Sequence, residues 1–236
     1  MTHAGGRSRR RGPDAISLLE VAEAPGDGES RRLTFLTDQG DFPAIYHPTL
    51  PDGAPGPAAV VWVGGARGGI DGPAGSVYAD LSATLRHAGI SSLRLDYRHP
   101  GALRDCVMDV LVGLAWLQEA GVQRAALVGH SFGGAAVITA GALSPLVRLV
   151  VTLASQTYGA DLAATLSPKR LLVIHGMSDA VLPARCSRAI FAEAREPKEL
   201  VLYEGAGHSL DEAASELRAL LADRITRALA PDAPPG

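Results

Sequence analysis

The sequence has 236 residues, of which 47% are hydrophobic and 20% are charged, and its formal net charge is −3. A chain of this length can bury a core without disulfide or metal staples, and its near-balanced charge provides no global field for nucleic acid or an anionic membrane. No run approaches the roughly 18 apolar residues of a membrane span. The two cysteines, Cys106 and Cys186, lack metal-ligand spacing, so we expect no metal, no cofactor and a reducing, cytoplasmic location.

An arginine cluster, GGRSRRRG, lies near the start of the chain. It has no interleaved aromatic residues, which is typical of a solvated tail rather than of a nucleic-acid surface. No apolar segment of the kind found in a secretory signal follows it. We therefore predict a disordered tail at 1–15 and a second tail at 231–236.

Short strands separated by turn residues are predicted first, at 16–24 and within 31–48, followed by a Pro/Gly loop at 48–57. From residue 58 onward, apolar runs typical of buried strands alternate with segments of helical periodicity. The predicted strands cover 58–65, 90–97, 125–130, 147–155, 170–176 and 199–205. The predicted helices cover 76–89, 102–121, 131–144, 160–166, 184–195 and 210–230.

This alternation predicts a single α/β domain over 16–230, with a doubly wound, mostly parallel sheet and an antiparallel N-terminal hairpin. Ligands of such sheets bind at the carboxyl ends of the strands. Functional residues are therefore expected where strands end.

One strand end carries a serine between glycines, in the sequence LVGHSFGG at 127–134. Gly129-His130-Ser131-Phe132-Gly133 fits G-x-S-x-G, in which a tight strand–turn–helix connection projects the serine from the sheet edge. The alternative is a glycine-rich helix start with Ser131 as the N-cap. The strand before it and the helix after it favour a nucleophile.

Two further strand ends carry an acid and a histidine, in VIHGMSDAVLP and YEGAGHSL. A serine hydroxyl needs an adjacent base, and the base needs a carboxylate that fixes its tautomer. Asp179 and His208 supply these groups in the chain order Ser, Asp, His. Asp96, which also ends a strand, is the rival for the role of the acid.

These three segments resemble the nucleophile, acid and histidine segments of the α/β-hydrolase superfamily, and the resemblance extends from about residue 31 to 230. Few residues separate the predicted strands 147–155 and 170–176, where many relatives insert a cap, so a capless fold similar to the dienelactone-hydrolase-like branch is implied. The best-known members of that branch use a cysteine nucleophile, whereas this chain has Ser131.

The resemblance also implies an oxyanion hole formed by two backbone N–H groups. One is that of Phe132, directly after the serine, and the other is that of Ala66 in Gly64-Gly65-Ala66. Many relatives carry a histidine where this chain has Gly64, which leaves the path of this loop open.

Three loop residues are candidates for the substrate pocket: Arg67, His99 and Tyr158. Each has the alternative of being a solvated loop or turn residue. His130 is expected to pack beneath the elbow, and His175 is expected to hydrogen-bond locally. The glycine-rich run after Gly64 fits neither nucleotide-binding pattern.

The sequence therefore predicts a serine hydrolase that acts on a small ester, thioester or lactone through an acyl-enzyme, with no cofactor and a small-molecule acyl substrate as its partner. The alternatives are an acyltransferase or small peptidase with the same triad, and a non-catalytic member of the fold that binds a small ligand. The oligomeric state stays open.

Overall fold

A computed structural model describes residues 16–49 and 56–231. The predicted tail at 1–15 lies outside these residues, as does the predicted tail at 231–236 except for Pro231.

In the described residues, nine strands form one sheet in the order β1-β2-β3-β5-β4-β6-β7-β8-β9. Strands β1 to β3 pair antiparallel, β3 also pairs antiparallel with β5, and the remaining pairs are parallel. The strands are β1 (Leu18–Pro25), β2 (Arg31–Thr37), β3 (Phe42–His47), β4 (Ala58–Val63), β5 (Ile90–Leu95), β6 (Arg124–His130), β7 (Val147–Leu153), β8 (Arg170–Gly176) and β9 (Lys198–Tyr203). The predicted mostly parallel sheet with an antiparallel N-terminal hairpin is confirmed.

Within 16–49 and 56–231, five α-helices cover the two faces of this sheet. They are α1 (Pro73–Leu85), α2 (Leu103–Glu119), α3 (Phe132–Leu143), α4 (Arg185–Glu193) and α5 (Ala214–Ala228). Residues 154–169, which join β7 to β8, contain one short 3₁₀ helix at Ala163–Thr165. This connection replaces the predicted helix at 160–166 and contains no cap.

The core consists of two clusters, one on each face of the sheet. Helices α2, α3 and α4 bury Val110, Val137 and Ile190 on one face, while α1 and α5 bury Tyr78 and Leu217 on the other. Successive residues of β4 alternate between the two clusters, and all six are buried. Because both faces of the central strands are covered, their sequences are continuous apolar runs.

The start of α1 differs from a regular helix and from the predicted start at residue 76. Ala74, Gly75 and Ser76 all have positive φ, at 54°, 62° and 70°. Arg218 of α5 holds this left-handed turn, since its Nη2 donates to the carbonyl oxygens of Ala74 and Gly75 at 2.8 and 3.0 Å. The Ala74 N–H donates to the carbonyl oxygen of Ser209 at 2.7 Å, which joins the turn to the loop that carries His208.

Candidate active site

The carboxyl edge of the sheet carries all three predicted catalytic residues. Ser131 follows β6, Asp179 follows β8 and His208 follows β9. Since β6, β7, β8 and β9 are parallel neighbours in that order, their carboxyl ends meet at one edge. The sheet topology thus brings these loops together, as the strand-end argument predicts.

Ser131 stands at a strained turn between β6 and α3. Its φ of 55° and ψ of −118° are rarely populated by a residue with a side chain. A Cβ atom at Gly129 would overlap the carbonyl oxygen of Gly133, and one at Gly133 would overlap that of Gly64. The glycines of the G-x-S-x-G sequence are therefore required by close backbone contacts.

Asp179 and His208 form a direct hydrogen bond. The distance from His208 Nδ1 to Asp179 Oδ2 is 2.7 Å, the carboxyl group is fully buried, and 19% of the histidine side chain is exposed. The other carboxyl oxygen accepts the N–H groups of Val181 and Leu182, each at 2.8 Å. Burial by itself would raise the pKa of Asp179, but these hydrogen bonds outweigh it and lower that pKa below its ordinary value.

In the described residues, Ser131 is not hydrogen-bonded to Asp179 or His208. Within residues 16–49 and 56–231, neither the Ser131 hydroxyl nor His208 Nε2 makes a hydrogen bond. In free enzymes, hydrogen bonds of this kind are often long and tighten when substrate binds. Because Nδ1 is bound to Asp179, Nε2 is the nitrogen of His208 left available to a nucleophile or substrate.

The loop after β4 forms a tight turn beside Ser131. Gly68 donates its N–H to the carbonyl oxygen of Gly65 at 3.0 Å, which places Ala66 and Arg67 at the tip of the turn. A Cβ atom built on Gly65 would lie 3.6 Å from the Ser131 Cβ atom. The backbone of this turn is therefore close enough to the serine for a role as an oxyanion donor.

Both predicted oxyanion donors have N–H groups without an internal acceptor. Phe132 is the first residue of α3, and the first N–H groups of a helix lack intrahelical partners and lie at its positive end. The Ala66 N–H makes no hydrogen bond within the described parts of the chain. A Cβ atom at Gly64 would overlap the carbonyl oxygens of Gly68 and Gly69, so a histidine cannot occupy this position in this loop.

Asp96, the rival for the acid, anchors this turn instead of approaching His208. Its Oδ1 accepts the N–H of Gly69 at 3.0 Å and that of Tyr97 at 2.8 Å. Arg94, two residues earlier, donates to the Asp71 carboxylate at 2.9 Å. Asp96, directly after β5, thus holds the glycine-rich loop by its backbone, and Arg94 in β5 holds it by the Asp71 side chain.

His130 contacts His208 directly, which sequence reasoning missed when it placed this residue beneath the elbow. The two ring centroids are 4.8 Å apart, and His130 Nε2 lies 3.0 Å from the carbonyl oxygen of His208. Burial lowers the pKa of His130 to about 4, although the hydrogen bond to the His208 carbonyl oxygen acts in the opposite direction. His130 is therefore neutral near pH 7 and holds the main chain of His208.

His175, at the end of β8, also has a larger role in the site than the predicted local hydrogen bond. It is fully buried, and its Nε2 lies 3.1 Å from Asp179 Oδ2, the oxygen that accepts the His208 hydrogen bond. The signal for this contact is the spacing of four residues between His175 and Asp179 at one strand end.

The three predicted pocket residues lie in loops at the same edge. Tyr158 is 76% exposed, Arg67 is exposed at the tip of the Gly65–Gly68 turn, and His99 contacts Asp105 through its Nδ1 at 3.0 Å. In the described residues, none of them makes a hydrogen bond, ion pair or ring contact with Ser131, so their roles in binding stay predictions.

Neither metal ligands nor a membrane-spanning helix is found in the described part of the chain. Residues 16–49 and 56–231 contain no group of three His, Cys, Asp or Glu side chains that could hold a metal ion. In the same residues, every helix falls short of the length or apolar character needed to cross a bilayer.

Sequence comparisons identify two relatives of undetermined role. No protein-family model matches the chain. Uncharacterized proteins from two strains of Mycobacterium tuberculosis are each 29% identical to it, over 66% of this chain and 64% of their own length. The match thus spans less than two thirds of these relatives.

Comparison with solved structures defines the fold. Est1E from Butyrivibrio proteoclasticus superposes with a TM-score of 0.73 at 15% identity, covering 84% of this chain and 98% of that one. An esterase domain from Rhodothermus marinus gives 0.69 at 19% identity, covering 84% and 98%. Dienelactone hydrolase from Anabaena variabilis gives 0.67 at 17% identity, covering 86% and 96%.

The chain therefore has the α/β-hydrolase fold. Its similar structures include esterases and a dienelactone hydrolase, and each covers most of the chain.

Proposed function

We propose that this protein is a serine hydrolase that cleaves a small ester, thioester or lactone through an acyl-enzyme. Ser131 is the nucleophile, His208 the general base and acid, and Asp179 the carboxylate that orients His208. The observation that carries the proposal is the 2.7 Å hydrogen bond from His208 to the buried Asp179, at the sheet edge where Ser131 occupies its strained turn.

In the first half of the proposed reaction, Ser131 Oγ attacks the acyl carbonyl carbon while His208 Nε2 takes the hydroxyl proton. The N–H groups of Phe132 and Ala66 stabilise the negative oxygen of the tetrahedral intermediate. The bond to the leaving group then breaks, and the leaving group takes the proton from His208.

In the second half, water attacks the acyl-enzyme and gives a proton to His208. The tetrahedral intermediate collapses, Ser131 recovers its proton, and the free acid leaves. Throughout the cycle, the Asp179 carboxylate stabilises the positive charge that forms on His208, which its lowered pKa supports because the group stays ionised.

The size of the substrate is proposed from the connection between β7 and β8. Residues 154–169 contain one short 3₁₀ helix and no cap that would enclose a long acyl chain. An uncovered edge of this kind favours small soluble substrates. A panel of p-nitrophenyl esters with acyl chains of increasing length would measure this preference.

The direct test is Ser131→Ala with that ester panel and with a fluorophosphonate label. We expect the wild type to be labelled and to hydrolyse short esters, and the variant to do neither. Labelling of the Ser131→Ala protein, with unchanged turnover, would remove Ser131 as the nucleophile.

Two alternatives use the same site. An acyltransferase or peptidase would release a product other than the free acid when an amine or alcohol acceptor is added, or would cleave short peptides. A non-catalytic ligand-binding protein would resist fluorophosphonate while a small ligand raised its melting temperature. The intact set of Ser131, Asp179 and His208 favours the hydrolase, since a binding protein has no need of all three.

A further inference from the structure

His175 connects the acid of the site to helix α4. It is fully buried at the end of β8. Its Nδ1 lies 2.6 Å from the hydroxyl oxygen of Ser187, a fully buried residue in the first turn of α4. Its Nε2 lies 2.9 Å from the carbonyl oxygen of Leu182.

These two contacts assign the tautomer of His175. A carbonyl oxygen only accepts, so Nε2 carries the proton and donates it to Leu182. Nδ1 then presents a lone pair, which accepts the hydroxyl proton of Ser187. Both ring nitrogens are used: the Leu182 carbonyl oxygen fixes the tautomer with the N–H on Nε2, and the Ser187 hydroxyl holds the ring at Nδ1.

The same ring edge faces the carboxylate. His175 Nε2 lies 3.1 Å from Asp179 Oδ2, while the Leu182 N–H donates to Asp179 Oδ1 at 2.8 Å. His175 thus holds Leu182 at its carbonyl group, and the N–H of the same residue holds Asp179. The positively polarised N–H of His175 also lies beside the oxygen that accepts His208.

We propose that His175, held by the Ser187 hydroxyl and by the Leu182 carbonyl group, is a positioning residue that fixes the Asp179 carboxylate toward His208. The inference deepens the proposed function and rests on it for its effect on rate. The chain of contacts runs from Ser187 through His175 and Asp179 to His208, so two buried residues extend the proposed triad.

Three variants test the contact chain. His175→Leu removes both the donor and the acceptor, and we expect kcat to fall by about 10- to 100-fold because a small displacement of the acid misorients the base. The carboxamide in His175→Gln has one donor and one acceptor, so we expect it to recover most of that loss. Ser187→Ala removes the hydrogen bond to Nδ1 of His175, which loosens the ring, and should lower kcat by about 3- to 10-fold.

Ser82→Ala is the matched control for Ser187→Ala. Ser82 is also a fully buried serine in a helix, but its hydroxyl has no hydrogen-bond partner within the described residues. Its removal should leave kcat unchanged. KM should change little in all four variants, since none of these side chains is placed against the substrate.

The pH profile separates positioning from a general loss of structure. In His175→Leu the displaced Asp179 carboxylate stabilises protonated His208 less. We therefore expect the acid limb of kcat/KM to move to lower pH in this variant, by about half a pH unit. The other titratable groups that face this site, His130 in ring contact with His208 and Glu212 on the Gly207 N–H, are the same in every variant.

Proton and ¹⁵N NMR of the imidazoles give a readout that needs no turnover. We expect His175 to carry its proton on Nε2, and we expect the His208 Nδ1 proton to shift in His175→Leu and Ser187→Ala but not in Ser82→Ala. A proton on Nδ1 of His175, or an unmoved His208 signal in His175→Leu, would overturn the inference. If the wild type hydrolyses no ester and resists fluorophosphonate, the proposed function fails instead, while these signals still decide the positioning role.

Discussion

His130 donates its Nε2–H to the carbonyl oxygen of His208 over 3.0 Å, and the two imidazole rings lie 4.8 Å apart between centroids. The residue before the proposed nucleophile therefore holds the main chain of the proposed base. Because a carbonyl oxygen only accepts, Nε2 carries the proton of the neutral His130 ring.

His130→Phe tests this link, since it keeps an aromatic ring and removes the donor. We expect kcat for a short ester to fall by about 10-fold, because the loop that carries His208 loses its hydrogen bond to the elbow. His130→Gln restores an N–H donor and should recover part of the rate. Wild-type kcat in His130→Phe would show that the ring contact alone is sufficient.

Acid should destabilise the fold before its carboxylates are protonated. Burial is the main effect that lowers the pKa of His47 and that of His130 from 6.5 to about 4. Between these values the unfolded chain binds more protons, so the free energy of unfolding decreases as the pH falls from 6.5 to 4. His130 alone contributes up to about 3 kcal/mol to this decrease.

Urea denaturation at several values between pH 7 and pH 4 measures this slope. His130→Phe should show a shallower dependence than the wild type, since it lacks one of the two histidines. The lowered pKa of Asp179 acts in a separate window, below its ordinary value of 3.8, where that stabilisation is lost as the carboxylate is protonated. A free energy of unfolding that stays constant from pH 7 to 4.5 would contradict the assignment.

Adjacent glycines in the loop after β4 should respond differently to the same substitution. In Gly64→Ala the new methyl group would overlap the carbonyl oxygens of Gly68 and Gly69, so we expect a loss of at least about 2 kcal/mol of stability. In Gly65→Ala the nearest atom is the Ser131 Cβ at 3.6 Å, an ordinary contact. Its free energy of unfolding should match the wild type, and equal losses in the two variants would refute this packing.

Because the turn at the start of α1 is left-handed, a substitution by glycine there should stabilise the protein. Ser76 has a φ of 70°, which costs a residue with a side chain roughly 1 kcal/mol. We expect Ser76→Gly to raise the free energy of unfolding by about 0.5 kcal/mol after the entropy of glycine is counted. Ala79→Gly, in the regular part of the same helix, should lower it by about 1 kcal/mol. A decrease in both variants would argue against the strained turn.

Arg218 makes the same turn testable from α5. Arg218→Met removes the donor to the carbonyl oxygens of Ala74 and Gly75, and we expect a loss of about 2 kcal/mol. Asp80→Asn removes the ion pair with Arg218, in which half of the acidic side chain is exposed, and should cost less than about 1 kcal/mol. Losses of similar size would mean that Arg218 stabilises the fold through its ion pair with Asp80 and not through its hydrogen bonds to the turn.

Most of the sheet was predictable because buried strands have recognisable patterns of apolar residues in the sequence. The strand β4 alternates between two cores and is therefore apolar throughout, and G-x-S-x-G marks the end of β6. The start of α1 was not predictable, because its left-handed turn depends on Arg218, more than 140 residues later in the chain. Local propensity contains no information about that contact.

The candidate site likewise has residues that the sequence predicted and contacts that it did not. Ser131, Asp179 and His208 stand at strand ends, where chain order and residue type indicate their roles. The contacts of His175 with Ser187 and of His130 with His208 depend on how α4 and the loop after β9 pack. Sequence reasoning chose Asp179 for the acid with Asp96 as its rival, and in the structure His208 donates to Asp179 whereas Asp96 accepts the N–H of Gly69.

In the Gly65–Gly68 turn, the proposed oxyanion donor is a main-chain group, so it does not depend on which side chains the turn carries. The proposed oxyanion donor is a main-chain group of Ala66, whereas the Ala66 and Arg67 side chains are exposed at its tip. A library randomised at these two positions would therefore vary the chemistry around the substrate while the donor stays in place. The turn offers a natural starting point for changing substrate preference without rebuilding the site.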